Sequence, residues 1–143
     1  MRTIEEVQAG DVVNAPGSPL DGAEYVSVYS RAQAIEDGEL VDVSEAAREV
    51  GIRYPVALTR AAWTRCVEVP ESLRGSEQSE RGRLHDVVWM LRCAIGRSRG
   101  DRLTYELLVV GADKRRHRVQ LVSVCGPGDT AEPVLTVMLP DES

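Results

Sequence analysis

Apolar and polar positions change period twice along this chain. Residues 25–29 read tyrosine, valine, serine, valine, tyrosine, the alternation of a half-buried strand. Ser30, with Gln33 three residues on, forms a capping-box pattern, which predicts a helix over residues 31–37 with Gly38 as its left-handed stop. Leu40, Val41 and Val43 make a short extended link. Ser44 is placed to start a second helix that Gly51 ends, and residues 53–58 form another extended link. Within that link the fixed φ of Pro55 suits the approach to Thr59, which starts a third short helix over residues 59–67 that packs through Trp63 and Cys66. Residues 70–83 are the most polar internal stretch and read as a loop or a frayed helix start.

A longer helix follows over residues 81–97, where Leu84, Val87, Val88, Leu91, Ala94 and Ile95 recur at the spacing of one buried face. Trp89 lies off the centre of that stripe, so it covers the stripe's edge or faces a partner. The last third shifts to strand period. Residues 103–110 and 119–125 are rich in valine and leucine, the polar interval 111–118 fits a hairpin connection, and residues 133–139 give a third strand. These elements predict an α+β fold: an antiparallel sheet with a C-terminal meander of three strands, the long helix packed on one face, and several short N-terminal helices.

Composition narrows the class. At 143 residues and 43% hydrophobic content the chain can bury a core without disulfide staples. Gly10, Asn14, Pro16, Gly17, Pro19 and Gly22 mark residues 1–24 as a flexible N-terminal arm, leaving residues 25–143 as a single domain. There is no apolar run near the roughly 18 residues of a membrane span, and the N-terminus lacks the basic and apolar regions of a signal peptide; a cytoplasmic protein with no membrane partner is expected. The three cysteines, Cys66, Cys93 and Cys125, are odd in number and widely spaced, which predicts reduced thiols rather than a disulfide framework or a structural zinc site. The net charge of −6 opposes general DNA binding, since phosphate contacts need a cationic surface. Lys114 is the only lysine, a bias read as coding composition before any bidentate recognition by arginine.

No metal-ligand spacing, phosphate loop or nucleophile motif is present, so no cofactor and no catalytic residue are assigned. His85 and Cys93 share a helix about 12 Å apart by helical rise, too far to pair, and His117 lies among arginines. Adjacent carboxylates such as Glu36 and Asp37 point apart and read as solvated. The turn Cys125-Gly126-Pro127-Gly128-Asp129 has glycines that admit close backbone approach, yet it leads to a strand where a phosphate loop would open a helix. A structural turn with Asp129 bonding its own backbone is the plainer account. Residues 113–118 place Lys114, Arg115, Arg116 and Arg118 at the tip of a hairpin on an acidic molecule, a surface suited to phosphate or an acidic patch. With Trp89 they form the candidate partner-binding set.

The segment from Tyr29 to Gly38, the motif Tyr54-Pro55-Val56-Ala57-Leu58-Thr59, the Cys-Gly-Pro-Gly-Asp turn and Glu132-Pro133-Val134 through Met138-Leu139-Pro140 resemble a bacterial family of unknown function whose small proteins are carried on plasmids, integrative elements and phages. The likeness spans about residues 25–141. That setting implies a mobile-element accessory protein, a protein-binding module that inhibits or modulates a host nucleoprotein machine such as a defence system, with self-association into a homodimer left open. The alternative is a small enzyme or ligand-binding protein with a polar pocket near Tyr29, Arg31, Asp37 and Asp129.

Overall fold

The computed structural model describes residues 29–142. The expected arm over residues 1–24 and the expected strand at 25–29, apart from Tyr29, lie outside the described residues. The chain falls into two compact units, one holding described residues 29–40 and 127–132, the other residues 41–126 and 133–142.

In the smaller unit, Ser30 opens helix α1 (Arg31–Glu36) with both halves of the capping box in place. The helix closes at Gly38, where φ is +84°. There the Gly38 and Glu39 amides return to the carbonyls of Ile35 and Ala34, the paired bonds of a Schellman stop.

The larger unit is built on a five-stranded sheet. Its strands are β1 (Leu40–Asp42), β2 (Val56–Thr59), β3 (Arg102–Val110), β4 (Arg116–Pro127) and β5 (Pro133–Met138), arranged in the order β1-β2-β5-β4-β3. The expected meander is there: β3 pairs antiparallel with β4, Leu103 opposite Ser123 and Val110 opposite Arg116, and β5 lies on the other side of β4. The two extended links turn out to extend the sheet, and β2 runs parallel to β5 with Val56 opposite Leu135.

Three helices complete this unit: α2 (Ser44–Glu49), α3 (Arg60–Cys66) and α4 (Glu80–Ile95). Thr59 caps α3 as expected, its hydroxyl accepting from the Ala62 amide. Ser44 starts α2 as expected. It is the first residue of α2 rather than its cap, and its hydroxyl accepts from the buried Val56 amide while donating to Asp42 at 2.6 Å. An unpaired strand amide in the core costs more than an uncapped helix end beside water, which explains where that hydroxyl is used. Gly51, at φ +96°, stops α2 in the same left-handed way as Gly38 stops α1.

Helix α4 starts one residue earlier than the pattern suggested, because Ser79 caps it through the Gly82 amide. Val87, Val88, Leu91 and Ala94 are buried as expected against Tyr105, Leu107, Val109, Leu121 and Val137 of the sheet. Leu84 and Ile95, at the ends of the stripe, are only half-buried, and Arg83 is buried in their place. The hydroxyl of Tyr105 donates to the Val87 carbonyl, joining β3 to α4 inside the core.

Candidate functional site

The four polar residues expected to form a pocket all lie in the smaller unit, where they form two separate bonded pairs, Tyr29 with Asp37 and the Arg31 backbone with Asp129. Tyr29 donates to the Asp37 carboxylate at 2.6 Å, and this bond, with burial and the charges of Asp37 and Glu39, pushes the phenol up to about 12. The Asp129 carboxylate accepts from the Arg31 amide at 2.8 Å and the Ala32 amide at 3.0 Å. Ser30 accepts from the Gln33 amide, and the Gln33 side chain accepts from the Ser30 amide. Every amide from Ser30 to Gln33 thus has a side-chain acceptor, which is a full accounting for the start of a helix.

The structure replaces the local role expected of Asp129. Its carboxylate bonds the start of a helix far away in sequence, and no bond to its own loop is needed because others shape that loop. Gly128 donates to the Glu132 carbonyl, Ala131 to the Gly128 carbonyl, and Thr130 donates from both amide and hydroxyl to the Glu132 carboxylate. The Thr130 hydroxyl is the first cause holding the Glu132 carboxyl below its usual range. The polar groups of Tyr29 and Asp37 therefore bond each other, and Asp129 serves as a helix cap.

The basic hairpin has a tighter turn than the expected 111–118 connection. Gly111 donates to the Arg115 carbonyl and Lys114, at φ +67°, donates to Gly111, so the turn occupies residues 111–115. Arg116, His117 and Arg118 belong to β4, where Arg116 and Arg118 alternate with His117 and point to the exposed face. His117 Nε2 lies 2.9 Å from both oxygens of Asp113. That bond, then the Arg115 amide, holds the Asp113 carboxyl below its usual range. Gly111 leaves room for this pair, since a Cβ there would sit 3.0 Å from the His117 ring. Arg118 lies 3.7 Å from Glu106, whereas Lys114, Arg115 and Arg116 have no acidic partner among the described residues. They form a cationic group on a chain of net charge −6.

Trp89 does not cover the edge of the α4 stripe. At 100° per residue it falls roughly opposite the buried face, it is 48% exposed, and it stacks on His85 with ring centroids 6.4 Å apart. His85 is exposed and His117 is half-buried. Cys66 is buried, Cys93 and Cys125 are half-buried, and all three are free thiols. Burial pushes the Cys66 thiol up to about 11, away from the thiolate a nucleophile requires. Among the described residues no cluster of three or more His, Cys, Asp or Glu side chains has metal-binding geometry. No described helix is long and apolar enough to cross a membrane.

Sequence reasoning missed Arg83. Its Nε donates to the Val67 carbonyl at 3.2 Å, and its Nη1 donates to both the Gln78 side chain and the Val110 carbonyl at 2.9 Å. One guanidinium thus joins the end of α3, the approach to α4 and the end of β3. Its spacing four residues before Val87 was the available signal, since that places it on the buried face.

No curated protein and no solved structure matches the chain. A family model matches residues 18–143, and the chain accordingly belongs to the family of unknown function DUF6573.

Proposed function

We propose that this chain is a protein-binding module whose contact surface centres on Lys114, Arg115 and Arg116, with Arg118 beside them, and that it serves a mobile element by inhibiting or modulating a host nucleoprotein machine such as a defence system. The observation that carries the binding surface is the absence of acidic partners for Lys114, Arg115 and Arg116 among the described residues of an acidic chain. Unneutralised charge on a rigid turn attracts and orients an acidic partner without the cost of freeing it from internal ion pairs. The mobile-element setting comes from the motif resemblance. Exposed Trp89 adds a second anchor of the residue type enriched at binding hot spots.

The test is affinity capture from the native host with the wild-type chain and with an Arg115→Glu, Arg116→Glu variant. A protein or nucleoprotein complex should be retained by the wild type and lost by the variant at unchanged stability. Capture that survives charge reversal, or retention of no macromolecule at all, would overturn the reading.

A further inference from the structure

Arg83 is the one buried lysine, arginine, aspartate or glutamate among the described residues, with 6% of its surface exposed. Its three acceptors, the Val67 and Val110 carbonyls and the Gln78 amide oxygen, are all neutral. No carboxylate lies within ion-pair distance of it among the described residues. The Val67 carbonyl, at the C-cap of α3, presents the negative end of that helix and offsets part of the charge. Arginine stays protonated when buried, so the remaining positive charge has to be balanced from outside the side chain's present partners.

Three of its five N–H donors are used, and the two on Nη2 have no partner among the described residues. Arg83 also forms part of the wall of a partly open cavity of about 250 Å³, together with Arg116, Gln78, Cys66, Asp86 and the β3 segment ending at Val110. Arg116 borders the same cavity at the Val110 end of β3, although its side chain leaves β4 on the face away from α4. Asp86 is the opposing charge on that wall, but its side chain is 66% exposed and it pairs loosely with His85 at 4.0 Å. Arg65 adds further positive potential near Arg83, and the Cys66 thiol stays protonated, so it brings no negative charge into the cavity.

We infer that this cavity is a binding site for a small oxyanion, held by the Nη2 donors of Arg83 and the guanidinium of Arg116. The volume lies below the roughly 300–1,000 Å³ of pockets that hold drug-sized ligands, which selects an inorganic anion or a single phosphate or carboxylate group over a nucleotide. Guanidinium donors match both kinds of oxyanion, and a partly desolvated site strengthens the charge-assisted bonds. The site shares Arg116 with the proposed contact surface, and titrating the isolated chain with small anions tests it apart from that reading.

The test is titration of the isolated full-length chain with inorganic phosphate and, separately, with acetate, at constant ionic strength balanced by chloride and followed by NMR. A saturable shift of the Arg83 Nε–H resonance with either anion supports the site, and the anion that saturates first identifies the group it takes. Arg116→Ala should weaken binding by about fivefold or more, and Asp86→Asn should tighten it by a few-fold, because each changes one charge on the wall. These two exposed-side substitutions keep the test meaningful where Arg83→Gln unfolds the chain. Absence of saturation with both anions, or affinities unmoved by Arg116→Ala and Asp86→Asn, would overturn the inference.

Discussion

Asp129 caps a helix that begins 98 residues earlier, its carboxylate accepting from the backbone amide of Arg31 at 2.8 Å. The same carboxylate takes the Ala32 amide, so the Gly-Pro-Gly-Asp turn completes the start of α1. Helix α1 has no acidic residue in its own first turn, and Asp129 supplies from a distant loop the negative charge that a helix N-terminus favours.

Removing that carboxylate should loosen α1 selectively. Asp129→Ala is expected to cost about 1 kcal/mol, the usual scale for a lost helix cap, with Asp129→Asn costing less because its amide oxygen still accepts one bond. Hydrogen exchange reads this directly: the Arg31 and Ala32 amides should lose protection while those of Val88 and Leu121 keep theirs. Uniform loss at all four positions would show that α1 and the sheet open together.

Leu91 is fully buried at the centre of the α4 face. Leu91→Ala should destabilise the fold by roughly 2–5 kcal/mol, combining lost transfer energy with the cavity left behind. Urea denaturation gives the value, and a midpoint that hardly moves would contradict the packing of α4 on β3.

The Cys66 thiol predicts a loss of stability in alkali. Its pKa rises from 9.0 to about 11 on folding, chiefly through burial, so the fold favours the protonated form. That contribution is complete below pH 9 and disappears as the pH climbs to about 11, amounting to at most about 3 kcal/mol. Denaturation midpoints measured from pH 8 to 11 should fall, and fall less steeply in Cys66→Ala. In the same range Cys93 and Cys125 should be alkylated well before Cys66; equal rates would mean that the core around α3 opens readily.

Trp89 separates folding from binding. Because it projects outward from α4, Trp89→Ser should change stability by no more than about 0.5 kcal/mol. A larger loss would assign it a packing role, whereas unchanged stability with weaker partner capture would place it in the contact surface.

Several features could be read from neighbours in sequence. The capping box at Ser30 and Gln33, the left-handed stops at Gly38 and Gly51, and the Thr59 cap each depend on residues within about one helical turn. The alternation that pairs Leu107 with Val119 and the apolar stripe of α4 are periodic over many residues, so the hairpin and the long helix were legible as well. What tertiary structure decided involves groups brought together from far apart. Val56, Ala57 and Leu58 are all fully buried, because β2 lies inside the sheet with β1 on one side and β5 on the other; a strand buried on both faces shows no alternation and reads as a link. Ser44 serves a strand amide twelve residues on, Asp129 serves a helix near the other end of the chain, and Arg83 is buried because two carbonyls and an amide oxygen converge on it. Local periodicity determines which segments are helix or strand; which polar groups meet depends on where the chain returns, and that is set only when the core has packed.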